Sequence, residues 1–306
     1  MSTVLVANRG EIACRILRAC NEAGYSSIAI YADNDADSLF VELATTSVRL
    51  QGESITETYL NQKQILEIAT EYGADAIHPG FGFLSERADF AQAVIDSGIS
   101  WIGPSPRAIE MMGDKMTART TMKAANVPVI PGEEIEEEDE HEALVAIRNA
   151  SERVGFPLLL KASSGGGGKG MRVVNSPEEL DDAVSGARRE AIAAFGDGRV
   201  YVERLLSGAK HVEIQILADQ QGRIIHLGER ECSIQRRHQK VFEEAPCPTM
   251  TPDLRERMGD AAILAAKAVD YVGAGTVEFL LASSGEFFFL EMNTRIQVEH
   301  PVTEMV

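Results

Sequence analysis

Residues 275–301, "GTVEFLLASSGEFFFLEMNTRIQVEHP", decide how the chain is read. Two apolar runs, "TVEFLL" and "EFFFL", flank a turn signal, which is the pattern of an antiparallel hairpin. With Ser284-Gly285 as a two-residue turn, Ser283 pairs with Glu286, and counting outward sets Glu278 opposite Glu291. Opposed residues share a sheet face, with side-chain roots roughly 5 Å apart. Two like charges so placed are unfavourable without a cation between them. Asn293 follows on the same face, so Glu278, Glu291 and Asn293 form an all-oxygen set suited to Mg²⁺ or Mn²⁺ that also holds phosphate. The competing reading is an exposed face that is merely acidic; the apolar runs imply a hairpin buried on its other face and favour the metal. Beyond Asn293 the alternation continues through Arg295, Gln297 and Glu299, as though one strand face carried chemistry.

Around this hairpin, 306 residues allow two or more subdomains and a sizeable core. The apolar share of 44% and charged share of 25% are those of a soluble globular protein, and no run reaches the length of a membrane span. The opening "MSTVLVANRGEIACRILRAC" puts an acid and an arginine where a signal peptide needs its apolar core, and reads as a strand entering a helix. Cys14, Cys20, Cys232 and Cys247 show no CxxC or finger spacing, which points to reduced thiols in a cytoplasmic protein and to no zinc site. A formal net charge of -18 argues against nucleic acid or anionic membrane as partner. The acidic tract "EEIEEEDEHE", Glu133 to Glu142, reads as a solvated linker entering a helix, with a metal-binding or interaction tract as the alternative.

Through about the first hundred residues, strands at "TVLVAN", "SSIAIYAD", "ADAIHPG" and "SWIGPS" alternate with helix-period segments. That order predicts a parallel, Rossmann-like sheet, without the GxGxxG fingerprint that would imply a dinucleotide. One helix, "PRAIEMMGDKMTARTTMKAAN", follows. Then come strand, glycine loop and strand in "FPLLLKA", "SSGGGGKG" and "MRVV". The next helix is expected to start with Ser176 as N-cap, Pro177 at its first position and Glu179 closing a capping box. "RVYVERLL", "HVEIQILAD" and "RIIHLGERE" read as antiparallel strands, and a helix from Thr251 to about Tyr271 precedes the hairpin.

Two further stretches carry chemistry. In "KASSGGGGKGMR", Lys161 and Lys169 flank glycines whose free amides can close over phosphate; a flexible linker is the plainer alternative. In "GERECSIQRRHQKVFEEAP", cations gather in an otherwise acidic chain, without the interleaved aromatics of a nucleic-acid surface, and suit a small anion. His141, His226 and His300 read as structural, whereas His211 opens a strand and faces either a nucleotide or the core.

Taken together, "ANRGEIACRILRA", "HPGFGFLSE", "MMGDK", "KASSGGGGKGMR", "GERECSIQRRHQKVFEEAP" and "EMNTRIQVEHPVTEM" resemble, over the whole chain, the biotin carboxylase component of biotin-dependent carboxylases in the ATP-grasp superfamily. The resemblance implies an α/β (α+β) protein. A Rossmann-like N-terminal domain over 1–112 would precede an ATP-grasp domain over 113–306, with a glycine-rich lid at about 131–203. It implies a ligase that phosphorylates bicarbonate with ATP to carboxyphosphate and passes the carboxylate to biotin on a carrier. This is the first half-reaction of an acetyl-CoA, propionyl-CoA or related acyl-CoA carboxylase, as used in fatty acid metabolism. By the same resemblance Lys115, Lys161, Gly167, Gly168, Glu203, Arg204, Leu205, Leu206, His211 and His238 meet the nucleotide. Glu278, Glu291 and Asn293 hold Mg²⁺ or Mn²⁺, while Lys240, Arg295, Gln297, the amide of Val298 and Gln235 meet bicarbonate or biotin. Glu299 is the base, and Arg295 also stabilises the biotin enolate. A biotin carboxyl carrier protein or domain, a carboxyltransferase subunit and a homodimer are the implied partners.

In the family a C-terminal region follows "HPVTEM", so the resemblance implies a C-terminally truncated ATP-grasp core with one edge left uncovered. Two alternatives accompany the biotin carboxylase reading: another ATP-grasp ligase acting on a different carboxylate, and a nucleotide-binding fragment without turnover.

Overall fold

The computed structural model describes residues 2–135, 137, 139–162, 171–195, 198–236 and 239–306. Five short strands open the chain: β1 (Thr3–Val6), β2 (Ser26–Tyr31), β3 (Thr46–Arg49), β4 (Ala76–His78) and β5 (Ser100–Trp101). They form a parallel sheet in the order β3-β2-β1-β4-β5. Helices α1 (Gly10–Glu22), α2 (Leu39–Leu43), α3 (Gln62–Glu71) and α4 (Ala88–Asp96) connect them. Because both faces are covered, the central strands are continuously apolar: Leu5, Ile28 and Ile77 pack with Ile65 and Phe90, while Val4, Val6 and Ala29 pack with Ile12 and Leu17. The sequence reading missed β3 and α2, since "TSVR" carries little apolar signal. The strand order reverses between β1 and β4, where Asn8 Nδ2 donates to the carbonyls of Pro79 (2.7 Å) and Phe81 (2.8 Å). Gly80, at φ +66, permits this approach: a Cβ there would lie 2.9 Å from Asn8 Nδ2.

The helix expected over "PRAIEMMGDKMTARTTMKAAN" is two, α5 (Pro106–Gly113) and α6 (Lys115–Ala124). Asp114 leaves the helical region at φ -95, ψ 116, and its carboxylate accepts from Thr117 N at 2.7 Å as the N-cap of α6. This break aims Lys115 from the first position of α6.

The next sheet is antiparallel: β6 (Gly132–Ile135), β7 (Leu158–Ala162), β8 (Arg172–Val174) and β9 (Val200–Arg204), ordered β6-β9-β7-β8. Helices α7 (Glu140–Val154) and α8 (Leu180–Phe195) cover it through Ile147, Leu158, Leu160, Val184 and Val202. The acidic tract is thus more than a linker. Its start is strand β6, and Asp139 caps α7 by accepting from His141 N (2.9 Å) and Glu142 N (3.0 Å). The expected capping box is corrected too. Pro177–Glu179 form a 3₁₀ turn before α8, Ser176 makes no side-chain cap bond, and Glu179 accepts from Asn175 N at 3.0 Å.

The last sheet comprises β10 (Lys210–Ala218), β11 (Ile224–Arg236), β12 (Gln239–Glu244), β13 (Gly273–Leu281) and β14 (Phe287–Asn293), ordered β12-β11-β10-β13-β14 and antiparallel. Helix α9 (Pro252–Lys267), capped by Thr251, packs Met258, Ala262 and Ala265 against Val212, Ile214, Val277 and Phe279. In the hairpin the turn is a three-residue loop, Ser283–Gly285, with Gly285 at φ +83; Ala282 N donates to Glu286 O at 2.8 Å. That shifts the pairing by one residue, so Phe279 faces Phe289. A bulge at Leu290 shifts it back, and Glu278 faces Glu291. β14 ends at Asn293, so Arg295, Gln297 and Glu299 do not continue a strand. They come from a turn that packs Ile296 against the N-terminal sheet and runs into α10 (His300–Glu304). Among the described residues no helix is long and apolar enough to cross a membrane.

Candidate active site

The strand registers place four charged residues in one row across the last sheet: Arg230 on β11, Glu213 on β10, Glu278 on β13 and Glu291 on β14. Odd positions of β10 (His211, Glu213, Gln215) face away from α9, while Val212, Ile214 and Ile216 pack into the core. The site occupies the first of these faces.

Lys240 reaches over the row from β12. Its Nζ donates to Glu213 Oε2 (2.5 Å), Glu278 Oε1 (2.8 Å) and Glu299 Oε1 (2.7 Å). Burial alone would lower the Lys240 pKa; the charges of Glu278 and Glu213 outweigh it and hold Lys240 above its ordinary value. Burial alone would likewise raise Glu278, but the hydrogen bond from His211 and the Lys240 charge bring it down to about 2. His211 Nε2 lies 2.6 Å from Glu278 Oε2, and Gln235 Nε2 lies 2.7 Å from His211 Nδ1. Gln297 Nε2 (3.2 Å) and Asn293 Nδ2 (2.7 Å) both donate to Glu278 Oε1. Arg295 pairs with Glu86 of the N-terminal sheet's loop (Nε–Oε2 3.0 Å) and donates to Asn293 Oδ1 (3.2 Å).

Glu291 behaves differently from its partner across the ladder. Although its surface is open to the cleft, the surrounding protein strips water from its carboxyl, and this and then the Glu278 charge push it above the usual range, with Lys115, His211 and Lys240 acting the other way. Among the described residues its carboxylate makes no hydrogen bond or ion pair. Glu278, Glu291 and the Asn293 amide oxygen line one cleft from facing strands, an all-oxygen donor set of the kind a divalent metal takes. Two acid-rich clusters, His211/Glu213/Glu278 and Glu213/Cys232/Glu299, bring ligand atoms within 4.8 Å of one another; Glu291 stands outside both. Asn293 can offer a metal its Oδ1, which Arg295 now engages.

A cleft of about 670 Å³ joins these groups, lined also by Phe81, Gly82, Lys115, Met171 and Val298. Lys161, on β7, forms an ion pair with Glu203 on β9, and Leu205 N donates to Pro157 O at 3.0 Å, which ties down the segment leaving β9 through Arg204, Leu205 and Leu206. Gly167, Gly168 and His238 lie outside the described residues. The sequence reading missed Glu213, Arg230 and Glu86. The polar alternation of "HVEIQI" was a usable signal for Glu213.

Comparison with known proteins follows the same division. Residues 1–109 match the family model "Biotin carboxylase, N-terminal domain", and residues 114–306 match "Carbamoyl-phosphate synthase L chain, ATP binding domain". The chain is 53% identical over 303 residues to a biotin carboxylase of Nostoc sp., covering 99% of this chain and 67% of that protein. It is 49% identical to the methylcrotonoyl-CoA carboxylase subunit alpha of Dictyostelium discoideum, covering 100% of this chain and 43% of that one. The biotin carboxylase domain of Hydrogenobacter thermophilus 2-oxoglutarate carboxylase, solved as a dimer with MgADP, ADP and bicarbonate, superposes with a TM-score of 0.87. That match is at 47% identity over 100% of this chain and 66% of that one. The chain therefore spans about two thirds of the length of such biotin carboxylases and less of the longer carboxylase subunits.

Proposed function

The chain belongs to the biotin carboxylase family, and on that premise we propose that its cleft carries out the ATP-dependent carboxylation of biotin with bicarbonate. The observation that carries the reading is the meeting of Lys240, Arg295, Gln297 and Glu299 in one cleft, directly beside the acid row of Glu278 and Glu291. Bicarbonate is a weak nucleophile, and a carboxylate within hydrogen-bond reach of its proton raises its reactivity. Glu299 is the group for that task. Lys240 and the planar fork of Arg295 neutralise the anion, and Gln297, Gln235 and the Val298 amide orient it. The same guanidinium fork also serves the biotin enolate.

Lys115, Lys161, His211 and the Glu203–Leu206 segment would hold the nucleotide, with Gly167, Gly168 and His238 completing it. Glu278, Glu291 and Asn293 would hold Mg²⁺ or Mn²⁺. When bound, the metal neutralises phosphate charge during phosphoryl transfer. The antiparallel β6–β9 sheet with its helices is the lid, and its closure keeps water from the labile acyl phosphate. The division at 112/113, a cytoplasmic location, a biotinylated carrier, a carboxyltransferase and a homodimer belong to the same proposal. Bicarbonate- and biotin-dependent ADP release in the presence of Mg²⁺ tests it; release indifferent to both substrates contradicts it.

A further inference from the structure

Arg230 makes none of the proposed substrate contacts, yet among the described residues it is the largest side chain to be fully buried. A guanidinium has five N–H groups, and each one here meets an acceptor. Nε donates to Glu213 Oε1 (2.6 Å), and Nη1 to Gln215 Oε1 (3.0 Å) and Thr303 Oγ1 (2.8 Å). Nη2 donates to Thr276 Oγ1 (3.3 Å) and Gln297 Oε1 (2.8 Å). These acceptors come from β10, β13, the turn after β14 and α10. Stability alone is a weak reason for such a construction, since buried ion pairs are often replaceable by apolar side chains at little cost.

The geometry has a direct consequence for the cleft. A guanidinium can only donate, so the Gln297 atom facing Arg230 must be the amide oxygen. The amide nitrogen is thereby turned toward Glu278 Oε1 and the cleft. Arg230 also occupies one oxygen of Glu213, leaving the other for Lys240 at 2.5 Å.

We propose that Arg230 is a positioning residue for the anion site: it fixes Gln297 as a hydrogen-bond donor toward the cleft and Glu213 as the anchor of Lys240. The inference rests on the bicarbonate reading above. Arg230→Lys keeps the charge but cannot serve five acceptors, so Gln297 is freed to turn over. In the intact enzyme with free biotin, the KM for bicarbonate should rise about tenfold while the KM for ATP stays within about twofold. A purely structural role lowers the amount of folded enzyme and moves neither KM, or moves both together, and either result overturns the proposal. Should Arg230→Lys not fold, Thr303→Val removes a single acceptor without touching the cleft, and about a threefold rise in the bicarbonate KM alone is expected. An unchanged bicarbonate KM in Thr303→Val overturns the proposal. Wild-type turnover without bicarbonate dependence overturns both readings, whereas normal dependence with no selective shift in the variants overturns the positioning role alone.

Discussion

The first and last sheets of this protein use their faces in opposite ways. The parallel β1–β5 sheet is covered on both sides, and its central strands spend both faces on packing. The antiparallel β10–β14 sheet gives one face to α9 and lines the other with Arg230, Glu213, Glu278 and Glu291. An antiparallel sheet can leave one face free of core duty because its connections need not cross over it. The contrast teaches where a substitution costs stability and where it costs chemistry.

The largest expected effect is on the charged face. Glu278→Ala removes the acceptor shared by Lys240, Asn293 and Gln297 and the carboxylate beside His211, and should lower ATP turnover by about 10²- to 10³-fold, measured as ADP release. In the parallel sheet the cost should appear as stability. Leu5→Ala should lose about 2–5 kcal/mol by urea unfolding while the folded protein keeps its KM for ATP. If Leu5→Ala changed the KM instead, the division of labour between the sheets would be wrong.

A smaller and sharper effect concerns pH. Glu278 and Glu291 face each other, yet one is depressed to about 2 and the other raised. Raising the folded-state pKa of Glu291 means that a bound cation must expel its proton as pH falls. Mg²⁺ affinity should therefore weaken as pH drops through that raised value and level off above it, while Glu278 stays ionised throughout. Calorimetric Mg²⁺ titrations run upward from the ordinary carboxylate range should show this slope. Glu291→Gln should bind more weakly and lose the slope, and a slope that survives the substitution assigns it elsewhere. The smallest effect lies at the lid surface, where Arg148 pairs with Asp181 in solvent. Arg148→Ala should leave the urea unfolding midpoint unchanged, because exposed pairs are screened.

Much of this layout was legible in the sequence. Alternating strands and helices gave the parallel sheet, and the hairpin gave Glu278 opposite Glu291. That pairing was reached through two compensating one-residue shifts, the longer loop at Ser283–Gly285 and the bulge at Leu290. A turn count sees neither. The break at Asp114 had a local signal in "GDK", a glycine followed by a capping acid. Arg230 had none, because its acceptors at Gln297 and Thr303 are 67 and 73 residues away in sequence. Only the folded sheet brings them to one guanidinium.

The proposed base is Glu299, which the turn after β14 sets beside the charged face of the last sheet through Lys240. ADP release at saturating Mg-ATP and biotin, followed against bicarbonate concentration for wild type and Glu299→Gln side by side, tests that role most directly. A saturable bicarbonate dependence in the wild type, with the maximal rate about 10²-fold lower in Glu299→Gln, is the expected result. Equal maximal rates in the two proteins would contradict it.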